Sequence, residues 1–207
     1  MGRYIGPVCR LCRAQGGKLM LREEHCFGAK CAQEKRQGPP GVHQRRRKPS
    51  EIGIQLKEKQ TARYTYGLME KQFRNYFELA SKKSGKTGDI LLQLLERRLD
   101  NVVFRLGYGD SRSQARQLVR HGHITVNGHR ANVPSQLVKS GDAIAWGAGS
   151  TKLEPYKSAA KDIQGKTIPV WLSLNLQDMS GRVLRLPERG DIETTINDRA
   201  IVEFYSR

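Results

Sequence analysis

All four cysteines of the chain lie in one short segment, VCRLCRAQGGKLMLREEHCFGAKC, which spans residues 8–31. Their spacing is Cys9-x2-Cys12, then thirteen residues, then Cys26-x4-Cys31. Two closely spaced pairs of thiolates can supply four ligands to one tetrahedral metal ion. The spacing therefore predicts a structural metal site with Zn2+ as the default ion. An iron–sulfur cluster on the same four cysteines is the alternative.

Other roles for these thiols stay open at this point, namely isolated buried thiols or redox and catalytic chemistry. Disulfides are disfavoured because the start of the chain lacks the apolar region of a secretory signal, and a reducing cytosol keeps thiols apart. His25 adjoins Cys26, but adjacency in sequence does not aim an imidazole at a sulfur atom. The segment has few large apolar side chains, so metal binding would supply its folding energy. We expect such a metal knuckle to direct basic side chains outward, towards phosphates: Arg3, Arg10, Arg13, Lys18, Arg22 and Lys30.

The charge of the chain indicates a polyanionic partner. Its 207 residues hold 37 Lys and Arg against 20 Asp and Glu, a net charge of +17. The excess is concentrated in residues 1–48, and nucleic acid fits this better than anionic lipid because no amphipathic membrane helix accompanies the charge. No apolar run approaches the roughly 20 residues that a membrane-spanning helix needs. We expect a cytoplasmic protein with no membrane partner.

A basic linker and several helices follow the cysteines. The stretch KRQGPPGVHQRRRKPS has no apolar periodicity and predicts an extended linker, for which a solvated tail or a nuclear address is the alternative to RNA contact. Ser50 is a candidate N-cap for a helix that runs to Gly67, and a second helix is predicted at about 69–83. The stretch ILLQLLERRLDNVVFRLG is long enough for two consecutive helices. Basic side chains expected to contact RNA here are Arg45, Arg46, Arg47, Lys48, Lys57 and Arg63.

The segment SRSQARQLVRHGHITVNGHRANV carries the clearest structural pattern. Ser111-x-x-Gln114 fits a capping box and Gly122 fits a helix end, which predicts a helix over 112–121. Asn127-Gly128 predicts a tight hairpin, and the stretch DAIAW predicts a third strand. On the helix, Arg112, Arg116 and Arg120 fall within an arc of roughly 80°, beside an apolar face. The residues of this segment expected to bind RNA are Arg112, Arg116, Arg120, His121, His123 and Asn127.

Fixed cations on a helix and a hairpin suit the phosphates of A-form RNA, whose deep, narrow major groove hides its bases. The alternative is an ordinary α+β unit with a solvent-exposed arginine face. Nearer the C-terminus, IPVWLSLN, GRVLRLP and AIVEFYSR resemble strands by composition, and we expect them to pack back on the helical part.

Several stretches resemble a known family. LLERRLDNVVFRLGYGDSRSQARQLVRHGHITVNGHR resembles the αL RNA-binding module of small-subunit ribosomal protein four, of several pseudouridine synthases and of bacterial tyrosyl-tRNA synthetases. MGRYIGPVCRLCR, PPGVHQRRRKPSEIGIQLKEKQTARYTYGLMEKQFRNYFE and IVEFYSR are similar to the bacterial members of that ribosomal family over nearly the whole length. Only some members carry the four cysteines, and this chain resembles the metal-containing form. The stretch 147–161 matches poorly.

The resemblance implies a structural constituent of the small ribosomal subunit and not an enzyme. It implies a primary binder of the 5′ domain multi-helix junction of small-subunit rRNA, which nucleates assembly of the subunit body and influences translational accuracy. Ribosomal protein five and, in some settings, mRNA are the further partners it implies, together with repression of its own operon in some relatives. No small-molecule substrate is expected.

Two other classes of protein compete with this interpretation. An RNA-modifying enzyme with an αL clamp needs a further catalytic domain, for which residues 150–207 are too few. A DNA-reading transcription factor lacks the helix spacing of the familiar finger modules. The predicted fold is α+β, with the metal knuckle and arm at 1–48, a helical part at 49–93, an inserted αL module of two helices and a small antiparallel sheet at 94–150, and C-terminal strands at 151–207.

Overall fold

The computed structural model describes residues 2–36, 41, 48–192 and 196–207. The chain divides into two compact units, one formed by Met1–Leu91 with Thr194–Arg207 and the other by Leu92–Glu193. The predicted RNA contacts Arg45, Arg46 and Arg47 lie outside the described residues. None of the helices in the described ranges is long and apolar enough to cross a membrane.

The secondary structure is mixed α and β, as predicted. The helices in chain order are α1 (Val8–Gln15), α2 (Glu23–Phe27), α3 (Ala32–Lys35), α4 (Glu51–Thr65), α5 (Glu70–Ser81), α6 (Thr87–Glu96), α7 (Leu99–Arg105), α8 (Arg112–Arg120), α9 (Glu154–Asp162) and α10 (Asp198–Tyr205). The strands are β1 (Ile124–Val126), β2 (His129–Ala131), β3 (Ala143–Trp146), β4 (Leu172–Asn175) and β5 (Ser180–Val183).

The first unit is helical. The Ser50 hydroxyl accepts a hydrogen bond from the Gly53 amide at 3.2 Å and begins α4, while Gly67 follows its end with φ +63°, which confirms both predicted boundaries. The apolar periodicity of α5 predicts a buried stripe of Met69, Phe73, Tyr76, Phe77 and Ala80. Phe73, Tyr76 and Ala80 are buried and Phe77 is half-buried, whereas Met69, at the N-cap, is exposed. α1 packs against α3 and α4.

The prediction of a C-terminal strand was wrong. Most of AIVEFYSR lies in helix α10, whose N-cap Asn197 accepts a hydrogen bond from the Ala200 amide through its side chain. α10 packs on α4, buries Ile201 and stacks Tyr205 on Phe77 with ring centroids 4.6 Å apart. A short stretch rich in apolar and aromatic residues satisfies a helix period as well as a strand composition, and here packing on α4 selects the helix.

A five-stranded antiparallel sheet lies in the second unit, with strand order β2-β1-β3-β5-β4. Asn127 and Gly128 take φ values of +52° and +80° at the turn between β1 and β2, so the predicted hairpin is confirmed. β3 pairs with both β1 and β5, which joins the hairpin and the two later strands in one sheet. The core beneath it includes Leu106, Tyr108, Ile124, Ile144, Trp171 and Val183.

The two consecutive helices expected between residues 90 and 107 are α6 and α7. The predicted C-terminal segment 151–207 is divided, because α9, β4 and β5 belong to the second unit and α10 to the first. In the second unit the chain before β3 runs back along the start of α7, where the Leu99 amide donates to the Gln136 carbonyl and the Val138 amide to the Arg97 carbonyl.

Candidate nucleic-acid interface and cysteine pocket

Helix α8 is positioned by its own N-terminal residues and by an apolar face. The Ser111 hydroxyl accepts from the Gln114 amide at 3.2 Å, and the Gln114 side chain accepts from the Asp110 amide at 2.7 Å. Both side chains of the predicted capping box therefore satisfy backbone donors, although Gln114 reaches one residue further back than the usual motif. Ala115, Leu118 and Val119 are buried in the core, as their spacing predicts.

The three arginines of α8 do not form one open face. Arg116 is buried, and its Nη1 atom lies 2.7 Å from Oδ2 of Asp100. Arg112 is half-buried, donates from Nε to the Asn101 side chain at 2.8 Å, and lies over the ring of Phe104 with Cζ 4.5 Å from its centroid. Arg120 is exposed in the last turn. Helical periodicity places the three arginines on one side of α8. It could not show that the Asp100 carboxylate lies against part of that side and pairs with Arg116.

A buried network of ion pairs and hydrogen bonds beneath α8 holds Arg112 and Arg116 in these positions. Asp100 also accepts from Arg98, with distances of 3.0 Å from Nε to Oδ1 and 2.7 Å from Nη2 to Oδ2. Glu96, which is 1% exposed, accepts from Asn101 and forms an ion pair with Arg105 at 2.9 Å. Sequence reasoning missed this network. Its charged members look like surface residues in the sequence, and only burial identifies them as structural.

The turn after α8 places three nitrogen-bearing side chains together. His121 and Arg130 are exposed and His123 is half-buried, and the two imidazole rings lie 5.9 Å apart between centroids. Arg130 donates from Nη2 to the His121 carbonyl at 2.9 Å. Arg130 was not among the predicted RNA contacts, although its position in a predicted strand beside the hairpin turn was a usable signal.

Asn127 has a structural role in the hairpin. Its side chain donates to Asp142 and accepts from the Ala143 amide, both at 2.9 Å, which ties the β1–β2 turn to the start of β3. RNA contact by Asn127 stays a prediction. Both the nitrogen and the oxygen of its side-chain amide already form hydrogen bonds within the protein.

The predicted RNA contacts of the first unit differ in exposure. Arg3, Arg10, Lys48 and Lys57 are exposed. Arg63 is half-buried, with Nε 2.7 Å from the Gln60 side-chain oxygen and 3.6 Å from Oε2 of Glu70. Arg13 instead braces the N-terminal segment, because its guanidinium donates to the carbonyl groups of Ala32 and Arg36 at 3.3 and 3.4 Å.

The N-terminal helices bring the cysteines to one pocket. Cys9, Cys12, Cys26 and Cys31 all line it, and its other lining residues are Val8, Lys18, Leu21, Arg22, His25 and Gln33. All four thiols are free, with Cys12 and Cys31 buried. Burial raises the pKa of the Cys12 thiol, a backbone hydrogen bond at Leu19 opposes this rise, and the proximity of the other three cysteine sulfurs adds to it.

The side chains that line the pocket include suitable metal ligands, but they are not arranged as a metal site in this structure. The Oε1 atom of Gln33 is buried without a hydrogen-bond partner in this same pocket, and four thiolates are the preferred donors for zinc. Yet no three His, Cys, Asp or Glu side chains within the described ranges are grouped as a metal site.

The α+β fold and the exposed basic groups at the end of α8 are typical of a class, the nucleic-acid-binding proteins that carry their cations on a helix and an adjoining hairpin. Residues 3–96 match the family described as the ribosomal protein S4/S9 N-terminal domain, and residues 97–144 match the S4 domain. Small ribosomal subunit protein uS4 of Thermus thermophilus is 54% identical over 209 residues, with 100% of both chains covered. Protein uS4A of Symbiobacterium thermophilum is 53% identical over 208 residues, again with both chains covered in full.

The chain therefore belongs to the uS4 family of small-subunit ribosomal proteins. Members of this family are structural RNA-binding proteins and not enzymes, which confirms the non-catalytic prediction and removes the RNA-modifying enzyme as an alternative.

Proposed function

We propose that the protein is a structural constituent of the small ribosomal subunit and binds the multi-helix junction in the 5′ domain of small-subunit rRNA. Its place of action is the ribosome in the cytoplasm. Family membership over the full length supports the ribosomal assignment, and the net charge of +17 supplies the attraction to RNA.

One structural observation carries the RNA-binding part of the proposal. Arg120, His121 and Arg130 are exposed at the end of α8 and on β2, and the elements that bear them are joined to a single buried core. Leu118 and Val119 of α8 and Ala131 of β2 pack in that core, so we expect the cations to keep similar separations. Such a surface can match the spacing of phosphates along an RNA backbone, whereas a flexible basic tail contributes charge but no defined spacing.

We further propose the finer roles that accompany this assignment. Early binding at the junction nucleates assembly of the subunit body, and contacts with ribosomal protein five and with mRNA at its entry link the protein to translational accuracy. Repression of its own operon is an additional proposal. It would use the same basic surface, since a structured mRNA leader presents the same phosphates as rRNA.

Equilibrium binding of the full chain to the 5′ domain of small-subunit rRNA tests the central proposal. Affinity is measured against salt concentration and against an equal mass of unrelated folded RNA. Binding that survives both near-physiological salt and the competitor RNA is expected of a specific junction binder. Equal loss of binding to both RNAs would mean that net charge alone explains the affinity.

We propose, second, that the cysteine pocket holds a structural Zn2+ ion, with an iron–sulfur cluster on the same four residues as the alternative. The convergence of Cys9, Cys12, Cys26 and Cys31 on one pocket supports this, as does the small apolar core of the surrounding segment. A bound metal would neutralise the thiolates and contribute local folding energy to α1, α2 and α3.

A further inference from the structure

The turn between α8 and β1 brings the Arg130 guanidinium close to the imidazole rings of His121 and His123. The Arg130 guanidinium lies directly against Gly122, where a methyl group would collide with it. Gly122 has φ +73°, so glycine provides both the left-handed backbone and the space for Arg130. The hydrogen bond from Arg130 to the His121 carbonyl then fixes the guanidinium beside the two imidazole rings.

His123 is held by only one of its ring nitrogens in the hydrogen bonds seen among the described residues. Its Nδ1 atom lies 2.9 Å from the hydroxyl of Ser150, which is buried after β3. A neutral imidazole has one donor nitrogen and one acceptor nitrogen, whereas a charged imidazole donates from both. When charged, His123 would donate from Nδ1 to Ser150 and present Nε2–H to an external acceptor.

The surroundings keep this ring neutral in the free protein. Burial lowers the pKa of His123, and the positive charges of His121 on the same turn and Arg130 on β2 lower it further. The segment after β3 contributes uncharged groups to His123, namely the Ser150 hydroxyl and the Gly147 amide, which donates to its carbonyl. An anion placed among these cations would reverse the electrostatic balance on the ring.

We infer that His121, His123 and Arg130 form a binding site for one backbone phosphate of RNA, and that the site takes up a proton from solvent when the phosphate binds. The proton goes to an imidazole ring nitrogen, and no other bond is made or broken. This inference rests on the proposed RNA-binding function and adds to it a specific site and a dependence on pH. Arg130 supplies a permanent charge, and His123 supplies a charge that depends on pH.

Proton linkage fixes the direction of the effect. The pKa of His123 is below its ordinary value of 6.5 in the free protein and rises when a phosphate neutralises the neighbouring cations. Between the free and bound pKa values the association constant therefore increases as pH falls, by at most about ten-fold per pH unit for one proton. RNA affinity should rise several-fold between pH 7.5 and pH 5.5 at constant ionic strength.

The test is equilibrium binding of the full chain to the 5′ domain of small-subunit rRNA at several pH values between 7.5 and 5.5. His123→Gln should flatten the pH dependence, because glutamine keeps a polar group at this position but cannot take up a proton in this pH range. Arg130→Gln should weaken binding at every pH and reduce the salt slope by somewhat under one unit. His121→Gln, at an exposed position, provides a second variant that does not depend on the Ser150 contact.

His129→Gln is the matched control, since adjacent strand residues point to opposite faces and His129 neighbours Arg130 on β2. This control should keep the pH dependence of the wild type. A pH dependence unchanged in both His121→Gln and His123→Gln would overturn the inference while RNA binding stands. A wild type that fails to bind the 5′ domain at any pH would instead overturn the proposed function on which the inference rests. Unfolding midpoints of all variants establish that each is folded at the pH values used.

Discussion

Oδ2 of Asp100 lies 2.7 Å from Nη1 of Arg116, and both side chains are buried beneath α8. The same carboxylate pairs with Arg98, so one acidic residue balances two buried guanidinium groups. Helix α8 and the start of α7 are connected through this carboxylate. The orientation of the exposed end of α8 therefore depends on Asp100, which is itself buried.

Asp100→Ala should destabilise the protein strongly. Its removal leaves two buried cations without this partner, a change that costs about 3–5 kcal/mol in the free energy of unfolding. Urea unfolding of the full chain measures this. Glu78→Ala, which removes the partner of Arg74 in an exposed i,i+4 pair, is the control and should cost less than about 0.5 kcal/mol. A loss below about 1 kcal/mol for Asp100→Ala would contradict the structural role.

The arginines of α8 should separate into a structural and a binding group. Arg120→Ala should lower the salt slope of rRNA binding by somewhat under one unit, because it removes one exposed phosphate contact. Arg116→Ala should mainly lower the unfolding midpoint, since its guanidinium is already paired. Arg120→Lys keeps the charge and should keep the slope. Equal slopes for Arg120→Ala and the wild type would remove this residue from the binding surface.

Gly122→Ala should be more harmful than Gly128→Ala. Both positions have positive φ, of +73° and +80°, so alanine at either costs about 1–2 kcal/mol in backbone strain. At Gly122 the new methyl group also collides with Arg130, whereas at Gly128 the described residues, apart from its chain neighbours, place no atom within 4 Å of the new methyl group. Thermal unfolding compares them. In an Arg130→Ala background the two costs should converge, and a persistent difference would show that the collision is not the cause.

Glu70 should contribute acid-sensitive stability to the first unit. Partial burial raises its pKa, but hydrogen bonds from Lys59 and Tyr205 and the charge of Arg63 outweigh this, for a net pKa below 4.5. A depressed carboxyl pKa stabilises the fold above the unfolded value and loses that stabilisation as pH falls through the folded value. The stability difference between wild type and Glu70→Gln should shrink from pH 5.5 towards pH 3.

Urea midpoints at each pH check this dependence on Glu70. Glu78→Gln is the control because its ion pair with Arg74 is exposed, and its small effect should change little with pH. A difference between wild type and Glu70→Gln that stays constant across this range would exclude the carboxylate as the titrating group.

Metal removal should unfold only part of the protein. If the cysteine pocket binds zinc, chelation should release about one ion per chain and remove order from residues 2–36, while the second unit stays folded. Metal analysis and amide NMR signals follow both events, and visible absorbance with iron analysis would identify an iron–sulfur cluster instead. Cys12→Ser should lose the metal without chelator. Purified wild type with neither zinc nor iron, or loss of the whole fold on chelation, would contradict the proposal.

Local chemistry in the amino-acid sequence determines much of this protein. The Ser50 cap, the Asn127-Gly128 turn, the apolar stripe of α5 and the helix over 112–121 each depend on interactions within a few residues, and each is confirmed. The αL resemblance likewise placed the ribosomal family correctly, because its motifs are local in sequence.

Only the tertiary structure decided which charges are free. Arg116 and Arg120 look equivalent on a helical wheel, but Asp100 approaches one of them from a neighbouring helix and leaves the other exposed. AIVEFYSR likewise adopts a helix because its apolar groups pack on α4, far away in sequence. Helix caps and tight turns depend on neighbouring residues, whereas the burial of Arg116 and its ion pair with Asp100 depend on which separate helices meet. The sequence therefore predicted a helix with three arginines, and the fold decides which of them is exposed.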